Sequence, residues 1–476
     1  MTLLRPLLVA VALAALAACA SLPARPAGGM VADLAEDVPL VSQDGLSGDF
    51  ATEARRIDVQ QRAWKVITER YYDPRLNGVD WPAVRDKYRP RVAGAQTDAQ
   101  FYLALKSMVR ELNDSHTRVV TPRESADHRR YAALSTGAAL TVIDDQLVIV
   151  DVDKDSPAAR AGLQRGDVVL AIDSHRFDAK FFAAARSLPL TGEDIASPEA
   201  QPARADEAMR FAQLRAVRRV LQRAPDQPPR AQRVTIGRDG GSAFEVVLQP
   251  EPLVRPPTVT TLTLPSGVTV VKLNRFSVRN RGDIERALRA AEPSRALVLD
   301  LRGNGGGDYS QFVWLVRQFL PEERHVMTQL TRAGDEVRER PVRLAPAAQP
   351  FLKPIAVLTD RRSGSASELT AVALLEQRDA IVVGESTCGC VVGVSWEYIL
   401  PGGGGVRVSE TGFRSAGGRR MEGQPLAPAI YAPPRLPDLR AGRDLALEAA
   451  ERALLERSAL PPSPVRDLTS PRPPLA

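Results

Sequence analysis

The chain is predicted to be a multidomain α/β protein, with a helical N-terminal region, a β-rich middle domain and a C-terminal α/β core. Three observations predict this. Helical periodicity appears from Ile57 to Tyr71 and again from Thr97 to Leu112. Short paired apolar runs follow between Ala139 and Val152. From about residue 256, apolar runs of strand length alternate with amphipathic stretches, the pattern of a mostly parallel sheet covered by helices. At 476 residues the chain is too long for one hydrophobic core, so two or three domains are expected.

The first residues read as an export signal. Arg5 supplies a positive charge, and Leu7 to Ala18 is apolar but too short to span a bilayer as a helix. The run Leu16-Ala17-Ala18-Cys19 resembles the lipobox of bacterial lipoproteins, in which the Cys thiol is acylated and becomes the mature N-terminus. Residues 1–19 are then a lipoprotein signal peptide, and Cys19 carries a lasting membrane anchor. An ordinary secretory signal with an incidental Cys is the alternative. Ala20 follows the Cys, where many inner-membrane lipoproteins carry Asp, so the expected location is the outer membrane, facing the periplasm. Residues 20–50, rich in Pro, Gly, Ala and Asp, read as a tether.

Composition narrows the function classes. With 44% hydrophobic and 25% charged residues the chain is that of a folded protein. The net charge of +6 comes from dispersed Arg interleaved with acids, as in Arg110-Glu111 and Arg281-Gly282-Asp283. No dense basic run or aromatic-basic stripe appears, so nucleic acid is not an expected partner. Beyond Cys19 the cysteines are Cys388 and Cys390 alone. Such a close pair cannot staple distant segments, and it lacks the further ligands of a zinc site. No metal or other cofactor is expected.

Residues 51–132 form the helical region. Trp64, Ile67 and Tyr71 share a face, and a turn follows at Asp73-Pro74. A helix from Thr97 to Leu112, with Thr97 as N-cap, would turn Phe101, Leu105, Met108, Val109 and Leu112 inward, and it runs into Asn113-Asp114-Ser115-His116-Thr117. Residues 133–252 are the β-rich domain. Strands at Ala139–Val142 and Leu147–Val152 flank a turn at Asp144-Asp145, and Val234–Ile236 and Phe244–Leu248 close the unit. Ser156 can cap a short helix that has Pro157 first and ends at Gly162. An Arg/Ala-rich helix at about 205–223 stands as an insertion. The α/β core spans 256–440, with strands at 268–273, 296–300, 355–359 and 380–383 and helices at 281–291, 309–319 and 367–376. Residues 441–476 hold a last helix and a Pro-rich tail.

Three stations could carry chemistry. Asp300-Leu301-Arg302-Gly303-Asn304-Gly305-Gly306-Gly307 follows an apolar strand, and its glycines let backbone N–H groups approach a ligand. It fits neither the dinucleotide fingerprint nor the P-loop. Ser363-Gly364-Ser365-Ala366-Ser367-Glu368-Leu369 lies between a strand and a helix. A Ser there is an ordinary helix cap, yet a nucleophile also gains from the free N–H groups of a helix start. The third is Ser115-His116, because His128, His175 and His325 are more simply read as surface or structural.

The run Ser156-Pro157-Ala158 through Ala161-Gly162-Leu163 to Gly166-Asp167-Val168 is very similar to the PDZ domains of bacterial proteases. Together the three stations resemble the C-terminal processing peptidase family and its relative, the tricorn core protease. The resemblance covers roughly residues 55–435, in the family's order. It implies a PDZ domain followed by a crotonase/ClpP-like α/β core, and protein or peptide substrates. Ser365 would be the nucleophile, with the N–H of Ala366 and one from Gly305 or Gly306 as oxyanion hole. It also implies that the backbone around Ser135, Thr136, Gly137, Ala138 and Ala139 receives a substrate's terminal carboxylate.

One departure is decisive. Where the better-known branch carries a general-base Lys, this chain has Cys390, and no Lys follows Lys353. The tricorn branch uses Ser, His and Glu with a further Ser beside the His. Ser115-His116 match that pair, and Arg420-Met421-Glu422-Gly423 matches the segment with its Glu. On this resemblance His116 is the base, and Glu422 orients it through Ser115. Two other readings stay open: a non-catalytic scaffold that holds peptides through its PDZ domain, and a Cys390 thiol nucleophile. The oligomeric state is not legible in the sequence.

Overall fold

The computed structural model describes residues 45–129, 132–187, 203–221 and 230–459. The expected signal peptide with Cys19, most of the expected tether and the Pro-rich tail lie outside them.

The N-terminal layer is helical because its caps and apolar spacing agree. Helix Glu53–Arg70 starts at Thr52, whose hydroxyl accepts from Arg55 N. Helix Asp98–Arg110 starts at Thr97, which accepts from Gln100 N. Phe101, Leu105, Met108, Val109 and Leu112 are all buried, as their spacing predicts. Between these lies a helix that the sequence reading missed, Trp81–Ala93, which contains Pro90. Its buried Trp81, Val84, Tyr88 and Val92 keep helical spacing, and Pro82 sits in the first turn, where its missing N–H costs nothing.

This layer packs on an antiparallel sheet that was also missed. Arg118–Val120, Gly405–Ser415, Arg324–Ala333 and Glu336–Leu344 lie side by side, and Val392–Ile399 pairs with Gly405–Ser415. The hairpin strand Glu336–Leu344 is mostly exposed and strongly charged, so it carries almost no apolar alternation to read. The predicted α/β core is therefore one sheet short.

The second sheet of the core is the expected one. Val268–Leu273, Ala296–Asp300, Ile355–Thr359, Ile381–Gly384 and Ile430–Tyr431 run parallel, with Val259–Thr263 antiparallel at one edge. Ala296–Asp300 and Ile355–Thr359 are buried throughout, as strands covered on both faces must be. Helices Arg281–Ala291, Tyr309–Arg317 and Ala366–Arg378 supply one apolar cluster. Ala446, Ala450 and Leu454 of the last helix, Leu445–Ala459, supply the other.

Between the two comes a PDZ-like β region. Its sheet has the order Ala138–Ile143, Gln146–Val152, Val168–Ile172, Gln232–Gly237, Phe244–Leu248, with His175–Arg176 paired to Val168–Ile172. Asp144 and Asp145 turn the first hairpin with φ of 48° and 56°, the conformation of a two-residue hairpin turn. Ser156 Oγ accepts from Ala159 N at 3.2 Å. The helix Ala203–Leu221 is not an appendage: its Leu214 and Val217 belong to the region's own apolar cluster. Ala132–Ser135 and Glu251–Val254 pair antiparallel where the region leaves the rest of the chain.

Candidate active site

The strand Ile355–Thr359 delivers three serines to the start of helix Ala366–Arg378. Two are engaged. Ser363 Oγ donates to Leu301 O and Ser367 Oγ to Asn304 O, each at 2.8 Å, and both residues are fully buried. Ser365 is half-buried and its hydroxyl donates to no described group. Its backbone, at φ 53° and ψ −117°, lies outside the basins open to L-residues. Such strain costs of order 1–3 kcal/mol and persists only where surroundings over-determine it. Here Ser365 N donates to Cys390 O at 3.0 Å and to Glu368 Oε2 at 3.2 Å, while Gly364 N donates to Asn304 O at 3.0 Å. The Ala366 N–H is left without an acceptor among the described residues.

The glycine loop is pressed against this elbow. A Cβ on Gly306, which has φ +94°, would lie 2.7 Å from Ser365 Cβ and 2.8 Å from Ala366 N. No other residue fits there. Asn304 organises the loop, donating to Leu273 O at 2.8 Å and accepting from Gly306 N at 2.9 Å. The two glycines named as oxyanion donors therefore differ. The Gly306 N–H is already committed to Asn304. Gly305 is exposed, has open space at its Cβ position, and its N–H has no described acceptor.

The histidine station is built by Asp114. Its Oδ1 accepts from His116 N at 2.7 Å and Thr117 N at 2.6 Å, an Asx turn that aims the two residues before the strand. That strand, Arg118–Val120, pairs with 405–407 of the strand leading towards Glu422. In consequence Ser115 Oγ lies 2.6 Å from His116 Nδ1 and donates to Glu422 Oε2 at 3.1 Å. Ser115 N donates to Glu422 Oε1 at 2.8 Å, and Val391 N to Oε2 at 2.7 Å. With its proton turned to the carboxylate, the Ser115 oxygen accepts from Nδ1–H, which leaves the Nε2 lone pair of His116 free to take a proton. Desolvation lowers the His116 pKa to about 4, with Asp114 opposing and Arg118 assisting. Burial raises the Glu422 carboxyl, opposed by the bonds from Ser115 and Val391.

No hydrogen bond joins Ser365 to His116 in this structure. Adjacent residues link the two halves: Cys390 O accepts from Ser365 N, and Val391 N donates to Glu422.

Sequence reading assigned no role to Glu368, although Ser365-x-x-Glu368 has the spacing of a capping box. Glu368 is 1% exposed. Its Oε1 accepts from Thr387 Oγ1 and from Gly389 N at 2.7 Å, and its Oε2 from Cys390 N at 2.9 Å as well as from Ser365 N. Burial pushes the carboxyl up to about 7, against those four bonds. The neighbouring Cys388 and Cys390 form a disulfide with Cα atoms 5.2 Å apart, within the usual range. Cys390 therefore has no free thiol, which overturns the thiol-nucleophile reading. Both sulfurs lie near the Glu368 carboxylate, but their mutual bond and the four donors on Glu368 leave no ligand set for a metal.

A cavity of about 1070 Å³ runs between the strand Ala138–Ile143 and the helix bearing Phe211 and Leu214, and reaches Gly305 and Gly306. That strand is an edge of its sheet. Within the preceding loop, Thr136 O accepts from Ala158 N, Gly137 O accepts from Asp153 N, and Gly137 N donates to Ser135 Oγ. Of the five residues named for peptide binding, Ser135, Thr136 and Gly137 are thus engaged in these bonds, and Gly137, Ala138 and Ala139 line the cavity.

Comparison with known proteins identifies the domains that carry most of these residues. Residues 267–432 match peptidase family S41, 61–110 the tricorn protease C1 domain and 148–180 a PDZ domain. The chain is 25% identical over 388 residues to the chloroplastic C-terminal processing peptidase of Tetradesmus obliquus, covering 79% of this chain and 76% of that one. It is 27% identical over 370 residues to a carboxyl-terminal-processing protease of Picosynechococcus sp., covering 74% and 77%. The solved photosystem II D1 C-terminal processing protease shares the fold, with a TM-score of 0.51 at 21% identity over 84% of this chain and 97% of that one. The chain thus carries the core of peptidase family S41 over residues 267–432 and is a serine-type peptidase similar to the C-terminal processing proteases.

Proposed function

We propose that this peptidase cleaves exported proteins by a Ser-His-Glu mechanism, taking unfolded or C-terminal segments through its PDZ-like groove. The run of hydrogen bonds from Glu422 through Ser115 to His116 carries the reading. It supplies an oriented base in a chain that has Cys390 where a Lys base would stand. His116 Nε2 takes the Ser365 proton as Oγ attacks the peptide carbonyl, and Ser115 and Glu422 stabilise the imidazolium that forms. The Ala366 and Gly305 N–H groups receive the oxyanion, each such donor being worth roughly 10²–10³ in rate. His116 then returns the proton to the leaving amine, and water resolves the acyl-enzyme by the same route.

The pH profile tests the base. A folded pKa near 4 means that His116 stays neutral as pH falls from 7 to about 5. The acid limb of kcat/KM is expected between about pH 4 and 5, below the ~6.5 of a solvated His. A limb centred near 6.5 would show that water reaches His116 in the working enzyme.

Substrate delivery rests on the edge strand Ala138–Ile143, whose free side can accept an added strand. Amidating a substrate's C-terminus is expected to weaken cleavage severalfold. Indifference to amidation would assign the PDZ-like region another task.

Attachment rests on the lipobox, since no described helix is long and apolar enough to cross a membrane. The chain is proposed to be held through acylated Cys19 at the outer membrane, facing the periplasm. Cys19→Ala is expected to release it to the soluble fraction or block processing, and a lipid-free wild-type N-terminus by mass spectrometry would refute the anchor.

A further inference from the structure

Glu207, on the helix Ala203–Leu221 of the PDZ-like region, is 2% exposed. It accepts from Ser386 N at 2.7 Å and from Ser386 Oγ at 2.6 Å. A carboxylate is costly to bury unless its oxygens are satisfied, and both of these oxygens are satisfied by a single residue of the catalytic core. Alongside, Arg210 pairs with Glu385, and Arg361 lies over the Phe211 ring at 4.8 Å. The helix is therefore fastened to the core by several groups that its own apolar packing does not need.

Ser386 begins a short strap, 386–391, in which successive peptides are held. Thr387 N donates to Leu426 O, Cys388 N to Ser363 O, and Gly389 N and Cys390 N to Glu368. The Cys388–Cys390 bond closes its middle. At its far end Cys390 O receives the nucleophile's N–H and Val391 N–H reaches Glu422. A displacement at Ser386 has few soft joints to absorb it before it reaches both catalytic halves.

We propose that Glu207 is a positioning residue for the peptidase reaction: by holding Ser386 it sets the strap that holds Ser365 and Glu422. The inference rests on the Ser365–His116–Glu422 reading. Misplacement by about 1 Å can cost about 10²-fold in rate, so a residue outside the reacting atoms can matter this much. Glu207→Gln preserves both contacts, because its amide oxygen accepts from Ser386 N and its NH₂ donates to Ser386 Oγ. Glu207→Ala removes both.

The test uses the full chain and a fluorophosphonate that reacts with an activated serine, and it records the labelling rate of Ser365 alongside the thermal midpoint. Glu207→Ala is expected to label at least tenfold more slowly while still folded at the assay temperature, Glu207→Gln within about twofold of wild type, and Ser386→Ala in between. Ser386→Ala keeps the Glu207 bond to the backbone N–H, so it carries the test if Glu207→Ala does not fold. Wild-type labelling rates in these alanine variants, with or without a lower midpoint, would overturn the proposal and leave the catalytic reading standing. A wild-type chain that does not label at Ser365 would instead overturn the catalytic reading itself.

Discussion

Ser365→Ala and His116→Ala are each expected to reduce turnover by roughly five to six orders of magnitude, and the double variant to be no worse than either. The reason is that the groups act as one unit: without the base Ser365 keeps its proton, and without the nucleophile the base has nothing to activate. Of the three serines at the elbow, Ser363 and Ser367 are spent on Leu301 O and Asn304 O, so neither can substitute. Glu422→Gln is expected to lose less, at most about 10⁴-fold, because it disturbs the tautomer of His116 and leaves the proton acceptor in place. Turnover on an unfolded protein, followed by mass spectrometry of the products, measures all four variants. Full activity in His116→Ala would leave Ser365 without a base and end the scheme.

The second large effect is expected at Glu368. Glu368→Ala strips the acceptor from Thr387 Oγ1, Gly389 N, Cys390 N and Ser365 N at once. Ser365 N keeps Cys390 O, and each of the other three donors left unpaired costs roughly 1–3 kcal/mol, so a loss of about 3 kcal/mol or more is expected. That is a large fraction of the roughly 5–15 kcal/mol that holds a domain together. Glu368→Gln separates the two oxygens. Its amide oxygen can still serve Thr387 and Gly389, but its NH₂ then meets the N–H groups of Cys390 and Ser365. Stability between wild type and the Ala variant is expected, with nucleophile reactivity closer to that of the Ala variant. Urea unfolding midpoints and fluorophosphonate labelling measure the two effects. An Ala variant as stable as wild type would show that these donors find other partners.

Much of the fold was legible because its strongest signals are local. The Thr97 and Ser156 caps, the Asp144-Asp145 turn and the fully buried strands at 296–300 and 355–359 each follow from a few neighbouring residues. The antiparallel sheet was not legible, since Glu336–Leu344 alternates weakly and its partner 324–333 pairs with a strand some eighty residues further on. The candidate site divides in the same way. Ser365, Ser115, His116 and Glu422 could be named from motif and resemblance. That the Gly306 N–H is taken by Asn304, while Gly305 stays open, depends on a side-chain rotamer that no motif records. Glu368 was given no role although its spacing from Ser365 is that of a capping box, and its further bonds to Thr387, Gly389 and Cys390 needed the loop to be in place.

The 307-residue separation between Ser115 and Glu422 has a consequence in time. Synthesis proceeds from the N-terminus, so the histidine emerges early, the nucleophile much later and the orienting carboxylate later still. On the proposed Ser-His-Glu reading, a nascent chain holds the base without the carboxylate that turns its lone pair outward. The strand that seats Glu422 can settle only after its partners at 118–120 and 324–333 have met it, a pairing that long-range contacts make slow. On that proposed reading, the peptidase stays inert until its own fold is complete.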